Sequence, residues 1–261
     1  MIARILTIAG SDSSGGAGIE ADIKTISALG GYACTAITAV TAQNTTGVFA
    51  IHPLPADFVR LSIQTVLADI GADAIKIGML GNAEIIRAVA GILPPAIPCV
   101  LDPVMVATSG ANLLPPDAIE TLIQALIPLA VLVTPNLPEA AALTGVSIRD
   151  PEDFVAAGRA LIALGAKAAL IKGGHAEGNM LTDVLVYEGG VEIISLPRIQ
   201  SRNTHGTGCT LASAIATGLG QRLSLGEAVN RARYYLQNAI IQAPGFGSGH
   251  GPVWHGATGG A

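Results

Sequence analysis

Short apolar runs that do not alternate with polar residues recur along the chain: R-I-L-T-I-A within Ile2–Ala9, A-I-K-I at Ala74–Ile77, C-V-L at Cys99–Leu101, V-L-V at Val131–Val133 and A-A-L-I at Ala168–Ile171. A strand with one face in water alternates apolar and polar positions. One that is apolar throughout needs cover on both faces, and a parallel sheet sandwiched between helices supplies it. Segments of helical period separate the runs. Ile19–Leu29 places Ile19, Ile23, Ile26 and Leu29 on one face, and Pro55–Ile70, Asn82–Leu93, Pro116–Leu126, Pro151–Leu164 and Leu225–Gln242 follow the same period. Asp183–Tyr187 and Val191–Leu196, around Glu188-Gly189-Gly190, read as an edge hairpin. The prediction is an α/β protein of three layers, α/β/α, with a mostly parallel central sheet, no separate lid, and one domain over residues 1–261.

Hydrophobic residues make up 50% of the chain and charged residues 13%. The longest apolar run, Ala125–Val133, is nine residues including Pro128, whereas a membrane-spanning helix needs about 20. The apolar content therefore belongs to a buried core and not to a membrane. Net charge is −5 with no basic cluster, which gives no sign of a nucleic-acid surface. Cys34, Cys99 and Cys209 are too far apart for a zinc site or a disulfide framework. Met1–Gly10 lacks a secretory pattern, so a cytoplasmic location is expected.

Chemistry-bearing residues gather where the apolar runs end. In Asn203–Ala212, N-T-H-G-T-G-C-T-L-A, Gly206, Thr207 and Gly208 lead into Cys209 and a helix. A helix N-terminus offers free N–H groups and a positive dipole end, suited to an anion and to lowering a thiol pKa. The alternative is a tight turn with a buried cysteine. After the first strand, Gly10–Gly18 is glycine-rich but lacks the lysine of a Walker A loop, and a Rossmann fingerprint at Gly16-x-Gly18-x-x-Ala21 would lie partly inside the helix. Asp22, one turn on, either faces the ligand crevice or is a solvated first-turn acid.

Tyr32–Val40 reads as a strand ending in the polar loop Thr41–Gly47, where Gln43 carries an amide that can donate and accept. Met79 follows Ala74–Ile77, and Asp102 follows Cys99–Leu101 as a candidate ligand of hydrated Mg²⁺. Asn136 with Glu139 is either a metal site or a capping box. Lys172, before two glycines, is a candidate phosphate contact, and the tail Pro244–Ala261 reads as irregular, fraying past Val253.

Seven of these stretches resemble, in order, the hydroxymethylpyrimidine and phosphomethylpyrimidine kinases of the ribokinase-like superfamily. They are A-G-S-D-S-S-G-G-A-G-I-E-A-D-I-K-T at Ala9–Thr25, T-A-Q-N-T at Thr41–Thr45, K-I-G-M-L at Lys76–Leu80, L-D-P-V-M-V-A at Leu101–Ala107, T-P-N-L-P-E-A at Thr134–Ala140, K-G-G-H at Lys172–His175 and N-T-H-G-T-G-C-T at Asn203–Thr210.

The resemblance implies transfer of the ATP γ-phosphoryl group to the hydroxymethyl oxygen of a pyrimidine and then to the phosphate just formed, with Mg²⁺, in a homodimer. Gly10, Asp22, Gln43, Met79 and Val106 match positions that hold the pyrimidine. Gly206, Thr207 and Gly208 match the anion hole, and Cys209 stands where most ribokinase-like enzymes have a catalytic Asp. Lys172, Asp102, Asn136 and Glu139 match phosphate and magnesium positions. Thr108 and Arg202 depart from lysines common in the family. Competing readings are a pyridoxal or pyridoxine kinase, a cysteine hydrolase pairing Cys209 with His205 or His175, and a non-catalytic binding protein.

Overall fold

In the computed structural model, which describes residues 2–107, 110–111, 113–175 and 178–257, the apolar runs lie side by side in one eight-stranded sheet. Its strands are β1 (Arg4–Ala9), β2 (Tyr32–Ile37), β5 (Ala74–Ile77), β6 (Cys99–Leu101), β7 (Leu132–Val133), β8 (Ala168–Ile171), β9 (Met180–Tyr187) and β10 (Gly190–Pro197), in the order β10-β9-β8-β7-β6-β5-β1-β2. From β8 to β2 all pairings are parallel, and the β9–β10 hairpin adds antiparallel pairings at one edge. A second, two-stranded sheet comprises β3 (Ala39–Asn44) and β4 (Gly47–Pro53).

Both faces of the sheet are covered, as non-alternating strands require. On one side α2 (Ala56–Asp69), α3 (Ala83–Ala90), α4 (Pro116–Ala125), α5 (Leu137–Thr144) and α6 (Pro151–Ala163) pack on Leu6, Ile8, Ile75, Ile77 and Leu101. On the other α1 (Gly18–Ala28), α7 (Thr207–Gly220) and α8 (Leu225–Ile241) cover Ile5, Val100, Leu132 and Leu170. Each fully buried Ile or Leu contributes roughly 1.5–3 kcal/mol. Local chemistry fixes helix starts: Asn82, Asn136, Asp150 and Ser224 each accept backbone N–H bonds in the first turn.

Three expectations are corrected. Tyr32–Val40 is not one strand, and Thr41–Gly47 is not a loop. The chain leaves the sheet at Thr38, whose hydroxyl donates to the Met79 carbonyl at 2.7 Å, and Ser11 N donates to the Ala39 carbonyl at 2.9 Å. That crossing over β1 carries the chain into the β3–β4 hairpin, closed where the Asn44 side chain accepts from Thr46 N at 2.9 Å and its hydroxyl at 2.7 Å. Asn readily forms such a turn. The tail, too, is packed well past Val253: Val253 and Ala257 lie in the core beside α7 and α8. Trp254 N donates to the Ala239 carbonyl at 2.9 Å, the Tyr235 hydroxyl donates to the His255 carbonyl at 2.7 Å, and His255 Nε2 lies 3.0 Å from the Thr210 hydroxyl.

Burial pulls the His255 pKa down to about 4, with the charges of Lys24 and His205 adding to it. A histidine that protonates more readily unfolded than folded gives stability that is lost as pH falls from about 6.5 towards 4, up to ~3 kcal/mol. His255→Gln, which keeps a polar partner for Thr210, should flatten the fall of thermal stability between pH 7 and 4.5; equal slopes in the two proteins would contradict the assignment.

Candidate active site

A cavity of about 800 Å³ runs along the carboxyl edge of the sheet, crossing the ends of β1, β5, β6, β7 and β8. Open parallel sheets place ligands there because side chains leaving a doubly covered strand first meet solvent at its end. Gly10, Met79, Asp102, Asn136, Glu139 and Lys172 all line it.

At its centre Lys172 Nζ meets Asp102 Oδ1 at 2.9 Å, and the same oxygen accepts from the Thr134 hydroxyl at 3.1 Å. Lys172 N donates to the Pro135 carbonyl at 2.9 Å, so β7 and β8 hold the pair in register. Glu139 and Asn136 do form a capping box: Asn136 Oδ1 accepts from Glu139 N, and Glu139 Oε2 from Asn136 N, both at 2.9 Å. The Glu139 carboxyl nevertheless faces the cavity. Burial pushes its pKa well up, Lys172 pulls it back and the Asp102 charge adds to the rise. Burial opposes the Lys172 charge, but Asp102 and Glu139 more than restore it. Two buried carboxylates therefore share one ammonium.

The first turn of α7 opens onto this pair. Gly206 has φ +81, and a Cβ there would collide with the Gly16 carbonyl, so only glycine lets the two loops meet. A Cβ on Gly208 would lie 3.3 Å from Asp102 Oδ2 and 3.4 Å from Lys172 Nζ. The bare backbone thus faces the ion pair, and the free N–H groups of a helix start favour an anion. The expected depression of the Cys209 thiol is not found. Burial pushes it up to about 11, with Lys76 and the Gly18 N–H opposing and Asp22 and Asp102 reinforcing the rise. Desolvation outweighs the helix field.

Gln43 and Val106 reach the cavity from the β3–β4 hairpin and the segment after β6, and Gly10 lies against the Met79 methyl. Asp22 does not line the cavity. It is fully buried behind the wall, accepting from Lys76 Nζ at 2.8 and 2.9 Å, from the Thr7 hydroxyl at 2.5 Å and from the Ser213 hydroxyl at 2.6 Å. Neither the crevice-facing nor the solvated expectation holds. Lys76, the lone charge in the apolar strand A-I-K-I, was the visible signal, since a lysine buried on both faces needs a buried partner.

Asp12 also went unassigned in the sequence, and His205 was weighed only as a partner for Cys209. His205 Nε2 lies 2.7 Å from Asp12 Oδ2 and 3.3 Å from the Gln43 amide nitrogen, so that ring nitrogen is engaged away from Cys209. Arg202 sits at the surface with its guanidinium 3.5 Å from the Gly245 carbonyl, and Thr108 lies outside the described residues. At the far end Leu181, Leu196, Leu236 and Ile240 form an apolar wall between the β9–β10 hairpin and α8, and Arg233 beside it pairs with buried Asp183.

Two outcomes follow from this burial. Asp22→Ala should cost about 3–5 kcal/mol in urea unfolding, because it strands a buried ammonium, while Asp22→Leu combined with Lys76→Met should recover most of the loss. A cost below about 1 kcal/mol for the single variant would remove the pair from the structural core. Iodoacetamide labelling of Cys209 should be slow at pH 7.5 and rise about tenfold per pH unit up to about pH 10, since the thiolate is the nucleophile; a plateau below pH 8 would show a depressed thiol.

The chain can be set beside known proteins on this geometry. The family described as phosphomethylpyrimidine kinase matches residues 12–254. The hydroxymethylpyrimidine/phosphomethylpyrimidine kinase of Rhizobium meliloti is 49% identical over 261 residues, covering 98% of this chain and 97% of its own. The thiamine biosynthesis bifunctional protein ThiED of Geobacter sulfurreducens is 50% identical over 253 residues, 96% of this chain, which spans about half (52%) of that longer protein. Among solved structures, the pyridoxal kinase from Staphylococcus aureus in complex with AMP-PCP and pyridoxal superposes with a TM-score of 0.91 at 36% identity, covering 98% of this chain and 94% of that one. With the family match spanning residues 12–254 and a full-length relative at 49% identity, the chain belongs to the phosphomethylpyrimidine kinase family.

Proposed function

We propose that the chain transfers the γ-phosphoryl group of ATP to 4-amino-5-hydroxymethyl-2-methylpyrimidine and then to the resulting monophosphate, in thiamine biosynthesis. The observation that carries this reading is the Lys172–Asp102 pair set against the first turn of α7, midway along a cavity with a polar end at Gln43 and an apolar end at Leu236. Names of relatives 49% and 50% identical support the substrate, and the AMP-PCP complex of the pyridoxal kinase supports the nucleotide.

Phosphoryl transfer asks for positioning and charge neutralisation more than covalent chemistry. Lys172 and the N–H groups of Gly206, Thr207 and Gly208 would neutralise the transferring group, and the apolar wall suits an adenine base. Gly10, Gln43, Met79 and Val106 would frame the pyrimidine. Asp22, sealed behind the wall, would act only through Lys76.

Cys209, which keeps its proton at neutral pH, would sit beside the acceptor oxygen and orient it. A magnesium ion fits the centre, because Asp102 and Glu139 place two buried carboxylates on the cavity wall with Lys172 as the ammonium beside them. No group of three His, Cys, Asp or Glu side chains that could hold a metal occurs among the described residues, so the two carboxylates with Asn136 would hold Mg²⁺ largely through water, where it would neutralise phosphate charge.

The chain would act as one cytoplasmic domain paired with a second copy. Val40, Phe49 and Ile51, exposed on the β3–β4 hairpin, support the pairing. Among the described residues no helix is long and apolar enough to cross a membrane.

Incubation with ATP, Mg²⁺ and the pyrimidine, followed by mass spectrometry, should show the monophosphate and then the diphosphate. Lys172→Ala should lower kcat by about 10²- to 10³-fold. Turnover of pyridoxal or pyridoxine with none of the pyrimidine would replace this reading with that of a pyridoxal kinase.

A further inference from the structure

Gln43, placed above against the pyrimidine ring, can present either its carbonyl or its NH₂ group to the cavity, and the choice decides which ring atom it can bind. We propose that His205 makes that choice: its Nε2–H, directed by Asp12, draws the Gln43 carbonyl to itself and leaves the NH₂ group as a fixed donor to a ring nitrogen of the substrate. His205 is then a positioning residue for substrate orientation. The inference rests on the reading of Gln43 as the ring contact.

Asp12 is 1% exposed. Its carboxylate accepts from Ser14 N at 2.9 Å, the Ser14 hydroxyl at 2.8 Å, Gly16 N at 3.0 Å and Ala17 N at 2.7 Å, with His205 Nε2 at 2.7 Å. Burial alone would favour the neutral acid. The bonds from His205 and Ser14 overcome it and hold the group at about 2, so Asp12 is an acceptor with no proton to give. The proton between the two side chains therefore sits on His205 Nε2, whether the ring is neutral or charged.

That same Nε2 lies 3.3 Å from the Gln43 amide nitrogen as the side chain is placed. An NH₂ group there would set donor against donor, whereas a carbonyl oxygen accepts the outer share of a three-centre bond. Amide oxygen and nitrogen are nearly alike in shape, so the hydrogen-bond partners decide the orientation. Little else about Gln43 is free to adjust. Its backbone N–H donates to the Ser13 hydroxyl at 2.8 Å, and that hydroxyl donates back to its backbone carbonyl at 2.9 Å. The histidine is equally fixed: its backbone N–H donates to the Gly251 carbonyl at 3.1 Å, and its ring packs where a Cβ on Gly16 would collide.

The test is a double-mutant cycle read on two substrates. His205→Ala should raise KM for the pyrimidine about tenfold and leave KM for ATP within twofold, and adding it to Gln43→Ala should cost nothing further. In the wild type an analogue with the contacted ring nitrogen replaced by C–H should bind about tenfold more weakly, and His205→Ala should then have no additional effect. Additive losses, or an equal rise in KM for ATP, would overturn the role of His205. No effect of Gln43→Ala on KM for the pyrimidine would instead remove the ring contact and the inference with it. Independently of whether the variants fold, ¹⁵N spectra of the wild type should show His205 protonated at Nε2; a bare Nε2 with the proton on Nδ1 refutes the proposal.

Discussion

A strand buried on both faces cannot carry polar chemistry along its length, and this constraint organises the whole molecule. Six parallel strands obey it, so nearly every reactive group is displaced to a strand's carboxyl end. Asp102, Asn136 and Lys172 come from three neighbouring strands. Their spacing is set by the sheet and needs no further device, which puts an ammonium, two carboxylates and a helix start in one place from sequence segments about a hundred residues apart.

Where the rule is broken, the break is paired. Lys76 lies in the middle of the sheet, fully buried, and Asp22 reaches it from α1 with Thr7 and Ser213 completing the ring of partners. Replacing such a pair with apolar groups of equal volume is often neutral or stabilising, so its presence calls for a reason other than stability. It lies next to Cys209, whose thiol it influences from both sides: Lys76 lowers the pKa and Asp22 raises it.

The sequence-level reading held best where a single physical rule sufficed. Non-alternating apolar strands gave the layers and strand ends, and the capping box at Asn136 was visible in its spacing. It failed where tertiary contacts decided. Nothing local in Tyr32–Val40 says that Thr38 will bond across to Met79 and turn the strand out of the sheet. The start of α7 shows in the glycines before it, but the burial that holds the Cys209 thiol up depends on elements far away in the chain. Asp12 and His205 are 193 positions apart, and each on its own is an ordinary loop residue.

The packed tail has a consequence for synthesis. Thr45 at the hairpin tip bonds the backbone of His250, Gly251 receives the His205 N–H, and His255 touches the first turn of α7. The ribosome makes residues 245–257 after all ten strands and eight helices named here. The segment that ties the hairpin tip, the loop before α7 and its first turn is thus the last of these parts to be made, and the Gln43 and His205 corners of the cavity lack those ties until it is.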